Sequence, residues 1–235
     1  MAKTRRRGQT RRLPVRTAPR ENWGVALEVG GVVQSVSVPE DMAAHTDGDD
    51  EPRPGSGGGY WGLMLPPGCP RRALLLGLGG GTVAHLLARR CPDAEIVGVE
   101  RDAEVIAIAR TDFALDSVTR LTIVEADAFI WAAAHAESEP GSFDLICLDL
   151  FEAGRLAAGT LATVFLRQLA ALLAPDGTLA VNLMVTARTS DQLHRLRRVF
   201  ELRRELRLRG NLVAHAVPVP RDENEMARAD ALSSS

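Results

Sequence analysis

Over most of the chain, short apolar runs alternate with stretches of helical periodicity, and glycine or polar turns separate them. Residues 73–78, ALLLGL, are too few for an independent helix and are bounded by glycines, the pattern of a strand buried in a parallel sheet. Residues 82–90 read as a helix and residues 95–99 as the next strand. The alternation continues with a helix over 102–112, where Val105, Ile106, Ile108 and Ala109 face a sheet, and a strand over 121–124. A helix over 128–135, a strand over 143–148, a helix over 160–173 and a strand over 178–184 follow. Thr189 with Gln192 fits a capping box for a further helix whose Leu193, Leu196 and Phe200 turn inward. Residues 211–217 supply a last strand or pair of strands. In front of all this, residues 24–38 alternate by twos around Gly30-Gly31, a hairpin signal.

Strands alternating with helices predict an α/β fold: a doubly wound, mostly parallel, Rossmann-like sheet with a small N-terminal β hairpin. The expected organisation is a disordered basic tail over 1–20, the hairpin and a flexible acidic, glycine-rich loop over 21–59, a nucleoside-binding domain over 60–217, and a tail over 218–235. Ligands of such sheets bind at the carboxyl ends of the strands.

Charge changes the picture at the N-terminus only. Residues 1–20 carry eight basic side chains and no acid, whereas residues 40–51 carry six acids and no lysine or arginine. The basic tail lacks aromatic interleaving and a folded motif behind it, so it reads as a solvated segment rather than a nucleic-acid contact. No apolar stretch follows it and none reaches membrane-spanning length, which points to a cytoplasmic protein with no membrane partner. Cys69, Cys91 and Cys147 show neither CxxC nor His-paired spacing, which argues against a disulfide framework and a zinc site, so no metal is expected. Cys91 and Cys147 read as packing residues.

Candidate chemistry collects at one end of the expected sheet. Gly77, Gly79, Gly80 and Gly81 follow the first parallel strand and lead into a helix, where they let the backbone turn sharply and approach a ligand. Glu100 ends the next strand about twenty residues later, the distance at which such a unit delivers a carboxylate to a ribose diol. Asp127 and Asp149 end the third and fourth strands, so four loops converge on one crevice. The loop has no lysine and so is not a P-loop, and glycine falls one residue too early for a dinucleotide fingerprint.

The segments LLLGLGGGT, VGVERDAEVIAIAR, EADA, DLICLDLFEA and LLAPDGTLAVNL resemble the class I S-adenosylmethionine-dependent methyltransferase superfamily, and within it the spermidine synthase-like branch. The resemblance covers roughly residues 60–217. It implies that Gly77, Gly79 and Gly81 line the amino-acid or aminopropyl end of a sulfonium ligand, that Glu100 holds the ribose hydroxyls, and that Asp127 accepts from the adenine amino group. Arg101 and Ala128 would line the same ligand. Asp149 stands where the branch carries its catalytic aspartate, with Glu152 in the position of a second acid that binds substrate. Gln34 would correspond to a residue beside the nucleoside and amine, and Tyr60 to a catalytic tyrosine. Other readings compete: N-capping for Asp127 and Asp149, a surface acid for Glu100, a solvated loop acid for Glu152, and hinge packing for Tyr60.

The resemblance implies a transferase. In the branch an aspartate in the glycine loop contacts the terminal amine of decarboxylated S-adenosylmethionine, and here that position is Gly80. Loss of that anion favours ordinary S-adenosylmethionine as the cofactor and methyl transfer to an amine acceptor. Aminopropyl transfer from decarboxylated S-adenosylmethionine to a polyamine-like acceptor is the alternative reaction, and a non-catalytic nucleoside-binding protein the alternative class. Relatives in the branch often pair through their N-terminal region, so a homodimer is a further expectation.

Overall fold

The computed structural model describes residues 14–20, 24–37 and 59–219. The acidic, glycine-rich loop (apart from Gly59), most of the basic tail, and the C-terminal tail beyond Val219 lie outside the described residues. Three antiparallel strands come first: β1 (Val15–Arg20), β2 (Gly24–Val29) and β3 (Val32–Val36). Gly30 and Gly31, at φ 62° and 82°, make the expected two-residue turn between β2 and β3. β1 corrects the expectation of disorder over the whole of 1–20. Val15 joins Leu27, Val105 and Phe113 in a small apolar cluster, and Thr17 donates from Oγ1 to Asp112, so the ribbon leans on the main domain.

A short 3-10 turn, Tyr60–Met64, leads to β4 (Arg72–Leu76), α1 (Thr82–Arg90), β5 (Glu95–Glu100), α2 (Ala103–Asp112), β6 (Leu121–Glu125), α3 (Ala128–His135) and β7 (Phe143–Leu148). A two-stranded flap follows, β8 (Phe151–Glu152) with β9 (Arg155–Leu156), then α4 (Thr163–Leu172), β10 (Leu173–Met184), α5 (Thr189–Leu196), β11 (Phe200–Leu208) and β12 (Asn211–Pro218). The main sheet has the order β11-β12-β10-β7-β4-β5-β6, parallel from β10 to β6 and antiparallel at β12 and β11.

Side chains alternate between the two faces, as strand geometry requires. Leu74 and Leu76 of β4 pack with Trp131, Phe165, Leu169 and Leu196 from α3, α4 and α5, whereas Ala73 and Leu75 pack with Met64, Ala84 and Leu87 on the other face. Both faces are covered, which is why the central strands are apolar without interruption.

Three local expectations need correction. Phe200 is expected on the last helix beside Leu193 and Leu196, but α5 stops at Leu196 and Phe200 begins an antiparallel strand. A bulge between Leu202 and Arg204 turns the strand over, so that Leu202 packs on one face of the sheet and Leu206 and Leu208 on the other. The capping box at Thr189 does not form: Arg188 is the N-cap, and the Thr189 hydroxyl instead accepts from the Thr186 N–H and donates to the Thr186 carbonyl. Cys91 is not a simple packing residue but is disulfide-bonded to Cys69, with Cα atoms 5.5 Å apart, and Cys147 is the buried free thiol. Among the described residues no helix is long and apolar enough to cross a membrane.

Candidate active site

The carboxyl ends of β4, β5, β6 and β7 open into one crevice of about 1060 Å³, part of it open solvent. Gly77, Gly79, Glu100, Arg101, Asp127, Ala128, Asp149, Glu152 and, from the ribbon, Gln34 all line it. Gly77 and Gly79 have φ of 87° and 54°, and each leaves room that a side chain would fill. A Cβ on Gly77 would lie 2.3 Å from the Asp149 carbonyl oxygen, and one on Gly79 would lie 2.8 Å from Ser35 Oγ. Gly81 is placed differently from the expectation. It caps α1 at φ 83°, its Cβ position falls on Leu115, and it does not line the crevice, so it shapes the turn rather than touching a ligand.

The acids differ in their surroundings. Glu100 turns back over the glycine turn: Oε2 accepts from the Gly79 N–H at 3.0 Å, and Oε1 from the N–H groups of Arg101 and Asp102 at 2.9 and 3.1 Å. Burial pushes its carboxyl up, and those three N–H groups pull against the shift. Asp127 caps α3, accepting from Phe129 N and Ile130 N through Oδ1. The capping role is therefore real, and Asp127 still lines the crevice. Glu152, on the flap, forms a 3.0 Å ion pair with Arg101 of the β5 loop, so these two residues span the crevice mouth from opposite sides.

Asp149 sits in a chain of hydrogen bonds. Oδ2 accepts from the Tyr60 hydroxyl at 2.7 Å and Oδ1 from Asn182 Nδ2 at 2.9 Å. Asn182 Oδ1 in turn accepts from Asn211 Nδ2 at 3.0 Å. Asp149 therefore does not cap a helix. Burial raises its carboxyl above the usual range, and the bonds from Asn182 and Tyr60 oppose the rise. Burial also holds the Tyr60 phenol well above its ordinary value, with the Asp149 carboxylate adding to the effect, so Tyr60 stays a donor.

Tyr60 is fixed from behind. His215 Nε2 meets the Leu63 carbonyl at 2.7 Å, and burial depresses that imidazole, leaving it a neutral donor. The Arg90 guanidinium donates to the carbonyls of Leu65, Pro66 and Gly68, next to the Cys69–Cys91 bond. The segment that carries Tyr60 is thus attached to the far end of α1, the helix that starts at the glycine turn.

Sequence reasoning missed Ser35, Asn182 and Asn211. Asn182 left a signal, an amide in the otherwise apolar run of β10; Ser35 and Asn211 left none in their own neighbourhoods. Among the described residues no cluster of histidine, cysteine or acidic side chains could hold a metal ion.

Residues 73–177 match a family model described as a methyltransferase domain. The Rossmann-like, mostly parallel sheet agrees in fold with solved structures that the chain resembles. The chain is similar to a polyamine aminopropyltransferase of Chromobacterium violaceum, 32% identical over 122 residues, which are 52% of this chain and 45% of that protein. It is also similar to a trans-aconitate 2-methyltransferase of Methylobacterium radiotolerans, 33% identical over 134 residues, 57% of this chain and 45% of that protein. The chain spans under half the length of both curated relatives. The crystal structure of spermidine synthase from Thermotoga maritima shares the fold at a TM-score of 0.62 and 17% identity, covering 92% of this chain and 72% of that one. The chain thus resembles proteins named for two different transfers.

Proposed function

We propose that the protein is an S-adenosylmethionine-dependent transferase of the spermidine synthase-like group that moves a methyl group to an amine acceptor, with Asp149 as orienter and base. The observation that supports this most directly is the buried Asp149 carboxylate, held by the Tyr60 hydroxyl and the Asn182 amide beside the glycine turn. The crevice suits a nucleoside: its glycines leave a cradle that Cβ atoms would fill, and Glu100 ends the next strand about twenty residues after them. Gly77 and Gly79 would hold the tail, Glu100 the ribose hydroxyls, Asp127 and Ala128 the adenine, and Arg101 with Glu152 the mouth.

S-adenosylmethionine would supply an electrophilic methyl carbon on a positively charged sulfur. The acceptor nitrogen bonds to that carbon through its lone pair as the carbon–sulfur bond breaks, its electrons going to sulfur. Asp149 takes the proton that the new ammonium sheds. A carboxyl raised by burial is a stronger base than an exposed one, which suits that role. Tyr60 and Asn182 fix both of its oxygens, so its direction is set before the amine arrives.

Aminopropyl transfer from decarboxylated S-adenosylmethionine to a polyamine is the second reading, favoured by the aminopropyltransferase relatives. Mass spectrometry separates the two. The chain is incubated with a panel of primary amines and polyamines and either sulfonium, and a methyl increment on an amine, absent in Asp149→Asn, is the expected result. An aminopropyl increment alone would replace this reading with the second one.

A further inference from the structure

Ser35 lies where β3 crosses the glycine turn. It is 3% exposed, and its Oγ accepts the Gly80 N–H at 2.8 Å. The contact is tight: a Cβ on Gly80 would come within 2.8 Å of Ser35 Cβ, so the ribbon fills the space that any side chain at position 80 would need. A second clamp fixes β3 there, because Thr82 Oγ1 accepts from the Val36 N–H at 3.0 Å and donates to the Val36 carbonyl at 2.7 Å.

A serine hydroxyl has one hydrogen to give. Gly80 occupies an acceptor position on Ser35 Oγ, and among the described residues nothing accepts the Ser35 hydrogen. Ser35 lines the crevice beside Gln34 and Gly79, so a ligand there can take it. Acids line the rest of the crevice, but at the glycine turn itself the helix end favours an anion as that ligand. The nine-residue helix α1 begins at Thr82 and directs the positive end of its dipole toward the turn. Glu100, the nearest acid to the turn, is already engaged by three N–H groups.

We propose that Ser35 determines which sulfonium tail the crevice accepts: its hydroxyl, braced by the Gly80 N–H, donates to a tail that ends in a carboxylate and offers a tail that ends in an ammonium no anionic partner. The inference rests on the nucleoside reading above and assigns a residue to its specificity.

Calorimetry on the full chain tests it with three compounds: S-adenosylhomocysteine, its decarboxylated counterpart S-adenosyl-3-thiopropylamine, and the tail-less 5′-methylthioadenosine. The unaltered chain is expected to prefer S-adenosylhomocysteine over the amine by about tenfold, the scale of one hydrogen bond to a charged group. Ser35→Ala should lose about tenfold for S-adenosylhomocysteine while keeping 5′-methylthioadenosine within about threefold. Ser35→Asp, with folding checked by its melting curve, should reverse the preference between the two tails. A uniform loss for all three compounds in Ser35→Ala would make Ser35 a structural staple and overturn the proposal. Equal affinity of the unaltered chain for both tails would also overturn it while leaving nucleoside binding in place. Failure of all three to bind the unaltered chain would remove the nucleoside reading itself.

Discussion

Tyr60 and Asp149 are 89 positions apart in the chain and meet at 2.7 Å, the phenol donating to a carboxylate that Asn182 grips from the other side. The contact joins the only tyrosine of the chain to the end of β7. A carboxylate held this way has a fixed direction, and its proton affinity depends on groups far away in sequence.

Asp149→Asn should cut turnover by about two to four orders of magnitude, the range for general-base groups, with nucleoside affinity nearly unchanged. The same substitution should affect stability in the opposite sense. Burial raises the folded-state carboxyl, so Asp149 contributes most to stability below its unfolded value, and that contribution is lost as pH rises through the raised value. Melting curves taken from pH 4 to pH 8 should show Asp149→Asn gaining on the unaltered chain as pH increases. A constant difference across that range would count against a buried charge at Asp149.

Under the proposed function Asn182 acts through Asp149 as a positioning residue. It is 1% exposed and bonds both Asp149 and Asn211, so Asn182→Leu removes one hydrogen bond from each of them and should lower turnover by at least about tenfold. Asn182→Asp places a second carboxylate beside the first, which raises the proton affinity of the pair. The acidic limb of its pH–rate profile should move to higher pH, a displacement that a purely structural role would not produce.

Gly77 makes the closest approach between the glycine turn and Asp149. Gly77→Ala puts a methyl against the Asp149 carbonyl at φ 87°, where an L side chain is strained. Backbone must shift, and the expected result is a loss of about 1–3 kcal/mol in denaturant unfolding together with a fall in turnover larger than the fall in nucleoside affinity. Retention of full turnover would show that the turn and Asp149 are not mechanically coupled.

Cys69 and Cys91 are 22 positions apart, and chain-entropy arguments assign a closed loop of that size about 3 kcal/mol. The double substitution to serine, or reduction, should lower the melting temperature by several degrees. Alkylation of the unfolded, unreduced chain should label Cys147 alone, and labelling at all three cysteines would show that the bond does not form.

Much of the site was legible because its parts are local. Gly77, Gly79, Glu100, Asp127 and Asp149 each end a strand in a repeating strand–helix unit, and the order of units in the sequence is enough to bring those ends together. What escaped reading depends on contacts between distant segments. Asn211 reaches Asn182 only because β12 returns antiparallel beside β10, and Ser35 meets Gly80 only because the ribbon folds over the turn. The Cys69–Cys91 pair shows no motif spacing, since the link is made by the geometry of the turn before β4 against the end of α1. β11 keeps apolar residues at 200, 202, 206 and 208, but the charged run Arg203, Arg204 and Glu205 interrupts them.

The Cys69–Cys91 bond encloses β4, the glycine turn and α1 within one covalent ring. A single peptide-bond cut anywhere inside that ring yields two pieces that cannot diffuse apart, so the nicked molecule keeps its cradle strands as neighbours and can reassemble as an intramolecular event. Damage that would dismantle an open chain is here a local injury, its ends held in place by the disulfide and the packing that remains.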